Sequence, residues 1–219
     1  MGLNYKLKIA LNLNKIMKKK LAYDDSFTLA FLIILLITFC YNSIFQGGSR
    51  VPRIFLIFIT IVVAKLFFKV TFLKKSRFVY MATLIFIFIS MYLGNVLNFY
   101  TYIGNYDKIL HLISGIIIGF IGVIIFAYFT QEYLKKINPM FVVFFSVIFA
   151  IALAGTWEIW EFTTDRLFGL NSQLNSLIDT MMDIICGTVG GLISAIPIYL
   201  FAKGKHNKFL STIIKEIIE

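Results

Sequence analysis

The sequence predicts an all-α fold: a polytopic membrane bundle of six transmembrane helices with both termini cytoplasmic. Three observations carry this expectation. The chain of 219 residues is 59% hydrophobic and only 15% charged, which no ordinary soluble domain matches. Six apolar runs, near 27–45, 54–73, 78–99, 107–130, 139–161 and 180–202, approach or exceed the roughly 20 helical residues that cross a ~30 Å hydrocarbon core. Finally, 17 of the 21 Lys and Arg residues fall before the first run, after the sixth, or around alternate connections, leaving Arg50, Arg53, Lys108 and Arg166 to the others. The positive-inside rule then places both termini of the multi-pass chain in the cytoplasm.

The chain divides into a basic N-terminal segment (1–26), the transmembrane domain (27–202) and a basic tail (203–219). Residues 1–20 are only weakly amphipathic and are expected to lie on the inner leaflet. The first apolar run begins late, is too long for a signal-peptide core and has no small-residue cleavage site, so it is expected to persist as the first span. Gly47-Gly48 marks the first turn, and Pro52 opens the second span. Lys65 and Lys69 interrupt the end of that span and can snorkel toward headgroups. The uncharged aromatic stretch Asn98–Tyr102 suits the outer interface. Asn138-Pro139 starts the fifth span. The polar loop 162–178 is the longest outer connection. In the tail, apolar residues at 209, 210, 213, 214, 217 and 218 follow a helical period and predict a short amphipathic helix.

The net charge of +10 is accounted for by anionic lipid headgroups. No nucleic-acid recognition motif accompanies the lysines, so membrane lipids, and not nucleic acid, are the expected partners. Cys40 and Cys186 fall inside predicted spans, lack metal-type spacing and read as small buried hydrophobes.

Two spans share one pattern. The fourth begins Asp107-x3-His111-x3-Gly115-x3-Gly119, and the sixth begins Asp179-x3-Asp183-x3-Gly187-x3-Gly191. Steps of four keep residues on one helix face. Each helix therefore carries ionisable groups at its N-terminal end and a thin face below, where close helix packing is expected. Gly122, Gly190 and, on the fifth span, Ala150, Ala154 and Gly155 extend the small surfaces.

The derived topology brings Asp107, Glu158, Glu161, Asp165, Asp179 and Asp183 to the outer leaflet together with His111. It used only basic residues, so this convergence is independent support. Asp107 and Asp179 sit in first turns, where a carboxylate meets the positive helix end, and Ser176-x-x-Asp179 resembles a capping box. His111, Asp183 and Glu158 lie deeper, where charge is costly. Compensation must come from shared protons, from Arg50, Arg53 or Arg166, or from a bound cation. Carboxylates with one imidazole suit Zn, Mn or Fe, and Mg less well. The candidate metal ligands are Asp107, His111, Glu158, Asp179 and Asp183, with Glu161 as candidate general base. A metal-free acid network holding three helices together, and a proton or ion pathway, stay open beside this reading. Trp157 and Trp160 read as interfacial anchors.

The segments Tyr106-Asp107-Lys108-x-x-His111, Trp157-Glu158-x-x-Glu161-x3-Asp165 and Asp179-Thr180-x-x-Asp183-x3-Gly187-x3-Gly191 together resemble the YjdF-like family of uncharacterised bacterial inner-membrane proteins. The resemblance implies a fold and names no reaction. A looser likeness is to VanZ-like membrane proteins, associated with teicoplanin resistance, where Asn stands in place of Asp183. Signatures of CDP-alcohol phosphotransferases, di-iron carboxylate bundles, PSGH acid phosphatases, Gly-x-Ser-x-Gly hydrolases and P-loops are absent. Two functional classes remain. One is a metal-dependent enzyme acting at the outer leaflet on lipid or lipid-linked cell-envelope intermediates. The other is a non-catalytic envelope or resistance protein, or an ion- or proton-linked transporter. The inner halves of the acid-bearing helices hold no ionisable residue, which counts against a transporter.

Overall fold

The computed structural model describes residues 22–169, 171–205 and 207–218. The basic N-terminal segment lies outside the described residues up to position 21. Six helices are long and apolar enough to cross a membrane: α1 (Tyr23–Phe45), α2 (Val51–Val70), α3 (Arg77–Ile87, prolonged by a π-helical stretch to Val96), α4 (Tyr106–Thr130), α5 (Pro139–Phe168) and α6 (Leu177–Ala202). A terminal helix, α7, spans Lys208–Ile218. No strand occurs among the described residues. Large apolar side chains such as Leu36, Ile37, Val63 and Ile196 are more than half exposed, which suits a hydrocarbon solvent and not water.

The helix boundaries have local causes. Asn138 Oδ1 accepts from the Met140 amide at 2.9 Å, and Pro139 sits where its missing N–H has no cost. Gly47 and Gly48 take positive φ to turn α1 into α2. Two features were not anticipated. The end of α3 is π-helical, with the Leu97 amide donating to Tyr92 O at 3.0 Å. Helix α5 continues seven residues past its expected end, so the predicted loop 162–178 shrinks to the stretch between Phe168 and Leu177.

The helices pack in two groups. Helices α1, α2 and α3 share a core around Phe31, Ile57, Leu84 and Val96, to which Ile124 and Ala127 of α4 and Ile213 and Ile217 of α7 contribute. Helices α4, α5 and α6 form a tighter trio. A Cβ on Gly115 would come within 2.1 Å of Gly187 O, and one on Gly190 within 2.2 Å of Leu112 O. Gly187 and Gly191 face Ala154 and Ala150 on α5, where an added Cβ would meet theirs at 2.8 Å. The expected thin faces thus pack α4 parallel to α6, with α5 antiparallel against both. Gly155 does not take part: a Cβ there would meet nothing within 4 Å. Cys40 is exposed on α1, and so is not the buried hydrophobe expected; Cys186 is half-buried, and both are free thiols.

The tail helix docks on the bundle. Leu210, Ile213, Ile214 and Ile217 are buried, and Phe209 meets Phe78 and Phe120 edge-on at 4.7 and 5.5 Å. Ile213→Ala should therefore cost about 3 kcal/mol, while Ile218→Ala, at a position 41% exposed, should cost little. Thermal unfolding in detergent checks this; equal effects would mean that the helix lies on the lipid surface instead.

Candidate metal centre

The end of the trio where α4 and α6 begin and α5 finishes collects the ionisable groups. Asp107 and Asp179 occupy first turns, and the Ser176 hydroxyl caps α6 by accepting from the Asp179 amide at 3.2 Å. One turn deeper stand His111 and Asp183, with Glu158 of α5 opposite. Their burial is nearly complete: Asp183 is 1% exposed, Glu158 3% and His111 8%.

His111 lies among carboxylates from all three helices. Its Nε2 is 3.8 Å from Asp107 Oδ1, 3.8 Å from Asp183 Oδ1 and 3.9 Å from Glu158 Oε1. One ligand atom each of Asp107, His111 and Asp183 can be chosen so that all lie within 4.8 Å of one another. Ligands bonded at 2.0–2.2 Å in a tetrahedron sit about 3.3 Å apart, so modest side-chain rotation closes the group around an ion. Glu158 Oε1 is buried without a hydrogen-bond partner, and Asp183 Oδ1, also buried without a hydrogen bond, lies 3.1 Å from the Lys108 ammonium as an ion pair. Such atoms are costly to leave unpaired and need a cation or proton.

The organic counter-charge at this end is Lys108. Its ammonium donates to Asp179 Oδ1 and, at 3.1 Å, to Asp183 Oδ2, and it lies 3.7 Å from Asp107 Oδ2. The arginines expected to compensate the acids do other work. Arg50 Nη1 donates to Val96 O at 2.6 Å and Arg53 Nη1 to Asn95 O at 2.9 Å, both on the π-helical end of α3. Arg166 lies over the Phe162 ring. The π stretch gives these carbonyls to the arginines. One ammonium among Asp107, Glu158, Asp179 and Asp183 leaves a formal excess of negative charge that a divalent cation would offset.

Sequence-predicted residues separate in their surroundings. Asp107, His111 and Asp183 form the compact group, Glu158 closes it from α5, and Asp179 is taken up by Lys108. Glu161 lies beside the group within reach of the charges of Glu158, Asp107 and Asp183, and accepts from Trp157 Nε1 at 2.9 Å. Trp157 and Trp160 are exposed, as interfacial anchors would be. Asp165 faces the loop instead: its carboxylate accepts from the amides of Ser172 and Gln173 at 2.9 and 3.0 Å.

That clamp has a consequence for the site. With its backbone fixed by Asp165, Gln173 sends its side-chain amide to Glu158 O at 3.1 Å and Glu158 Oε2 at 3.2 Å. One oxygen of Glu158 is thereby held, and the other is left toward His111. Tyr100, outside the spans, packs edge-on against Tyr106 at 5.3 Å. Partial burial, and then the neighbouring charge of Asp107, raises its phenol above the ordinary range. Lys108, Gln173 and Tyr100 were given no role at the site by the sequence. For Lys108 a signal existed: it is the basic residue embedded in the Asp107-Lys108-x-x-His111 segment.

Over 124 residues the chain is 30% identical to an uncharacterised protein of Thermotoga maritima, a match that takes in 54% of this chain and 60% of that relative, less than two thirds of its length. No solved structure matches. The expected kinship with an uncharacterised membrane-protein family is met, since the model of predicted membrane proteins designated DUF2238 matches residues 27–204. By that match over most of its length, the chain belongs to the DUF2238 family of predicted membrane proteins.

Proposed function

We propose that this protein holds a divalent cation, of the zinc, manganese or iron class, between Asp107, His111 and Asp183, with Glu158 as the fourth ligand. The observation that carries this reading is Glu158 Oε1, buried without a hydrogen-bond partner, which faces the same His111 Nε2 as Asp107 Oδ1 and Asp183 Oδ1, all three within 4 Å of it. Mixed carboxylate and imidazole donors favour these ions over magnesium. Gln173 then holds Glu158, while the Lys108 ammonium competes with the ion for Asp183.

The same reading places the centre at the extracytoplasmic surface of a bacterial cytoplasmic membrane, on the distribution of Lys and Arg. There it would act on lipid or lipid-linked envelope intermediates, with a bound cation polarising a phosphoryl or acyl oxygen and activating water. Glu161, beside the group and less buried than Glu158, is the general base in this scheme. The second reading, a metal-free network, has its own support in Lys108 of α4, which already pairs with both Asp179 and Asp183 of α6.

Metal analysis of the purified full chain separates the two. Wild type loaded with zinc or manganese should retain about one ion per chain, and a folded His111→Ala/Asp183→Ala variant almost none. Wild type that retains no ion, with variants that merely unfold, would favour the network.

A further inference from the structure

At the opposite end of the bundle the ends of α2, α4 and α7 enclose a recess of about 420 Å³. Lys69, in the last turn of α2, and Lys74 and Lys75, in the 3₁₀ turn Phe72–Lys75, line it. Its aromatic wall is Phe72 stacked on Tyr128, with ring centroids 4.3 Å apart. Thr71 also lines it, and the Thr71 hydroxyl oxygen is buried with no hydrogen-bond partner among the described residues. Among the described residues, no carboxylate lines the recess. Val70, which also lines it, and Phe129, whose ring lies 6.5 Å from that of Phe72, are 80% and 75% exposed.

From this arrangement we infer that the recess is a binding site for the phosphate of an anionic phospholipid. The ammonium groups of Lys69 and Lys74 supply charge, and the Thr71 hydroxyl is placed to donate to a phosphate oxygen. The recess opens at a span end, where a headgroup would sit, and the apolar surface of Val70 and Phe129 continues from it toward the hydrocarbon, where acyl chains would lie. Basic pockets between membrane helices recognise phospholipid headgroups by this combination of charge and depth. A free phosphate ion shares the headgroup chemistry but gains nothing from the apolar surface. The inference is independent of the metal centre.

The test is the thermal stability of the purified full chain in neutral detergent, with phosphatidylglycerol, phosphatidylcholine or inorganic phosphate added. A ligand bound only by the folded state raises the midpoint with its concentration. Phosphatidylglycerol should raise it, and the other two should do so by less than half as much. Lys69→Gln/Lys74→Gln, at exposed positions, should retain the unliganded midpoint and lose more than half of the phosphatidylglycerol shift. Lys203→Gln/Lys205→Gln, which removes equal charge from the same end outside the recess, should keep it. Equal loss in both variants, an undiminished shift in the first, or an equal shift with inorganic phosphate would overturn the assignment.

Discussion

Lys108→Met is expected to destabilise the metal-free protein by about 3 kcal/mol, because removing one partner of a buried ion pair leaves the other charge uncompensated. The side chains of Asp183 and Asp179 are 1% and 12% exposed, and that of Lys108 21%, so water cannot replace the lost ammonium. The same substitution removes a cation that competes for Asp183. Saturating zinc or manganese should therefore restore most of the loss, and the variant should bind the ion more tightly than wild type. Unfolding midpoints with and without metal check both parts. Destabilisation that metal fails to relieve would mean that the carboxylates serve Lys108 alone.

Gly115→Ala is expected to be comparably damaging for a different reason. Its new methyl would lie 2.1 Å from Gly187 O and 2.9 Å from Gly187 C. Both neighbours are backbone, so no rotamer relieves the overlap, and α4 and α6 must separate. Overpacking of this kind costs about 3 kcal/mol, at the upper end of its usual range. Gly115 also lies one turn below His111, so separating the helices widens the site and should weaken metal binding together with stability. Gly155→Ala is the control. Its methyl meets nothing within 4 Å, and alanine favours helix by roughly 1 kcal/mol, so it should be neutral or stabilising. Equal destabilisation by the two would contradict the close α4–α6 contact.

What could be read from the chain, and what could not, follows from the range of each interaction. Steps of four place Asp107, His111, Gly115 and Gly119 on one face whatever the neighbours are, and the packing of Gly115 on Gly187 bears this out. The grouping of Asp107, His111 and Asp183 followed from charge and from alternation of the spans. Partner choice at a distance was not legible. Arg50 and Arg53 carry the right charge to serve the acids, yet a π-helical turn near Gly94 offers them carbonyls first. Lys108, seventy-one residues from Asp179, reaches it only because glycines bring α4 against α6. Likewise Asp165 was one of the six acids expected at the outer leaflet, but the end of α5 and the following turn give it two amides to accept from.

X-ray absorption at the zinc edge of the metal-loaded chain decides whether three helices supply a single coordination sphere. The expected spectrum has nitrogen and oxygen neighbours at about 2.0–2.2 Å with the outer-shell scattering of one imidazole, which His111→Gln removes. An all-oxygen shell in wild type, or an imidazole signal that survives in His111→Gln, would contradict it.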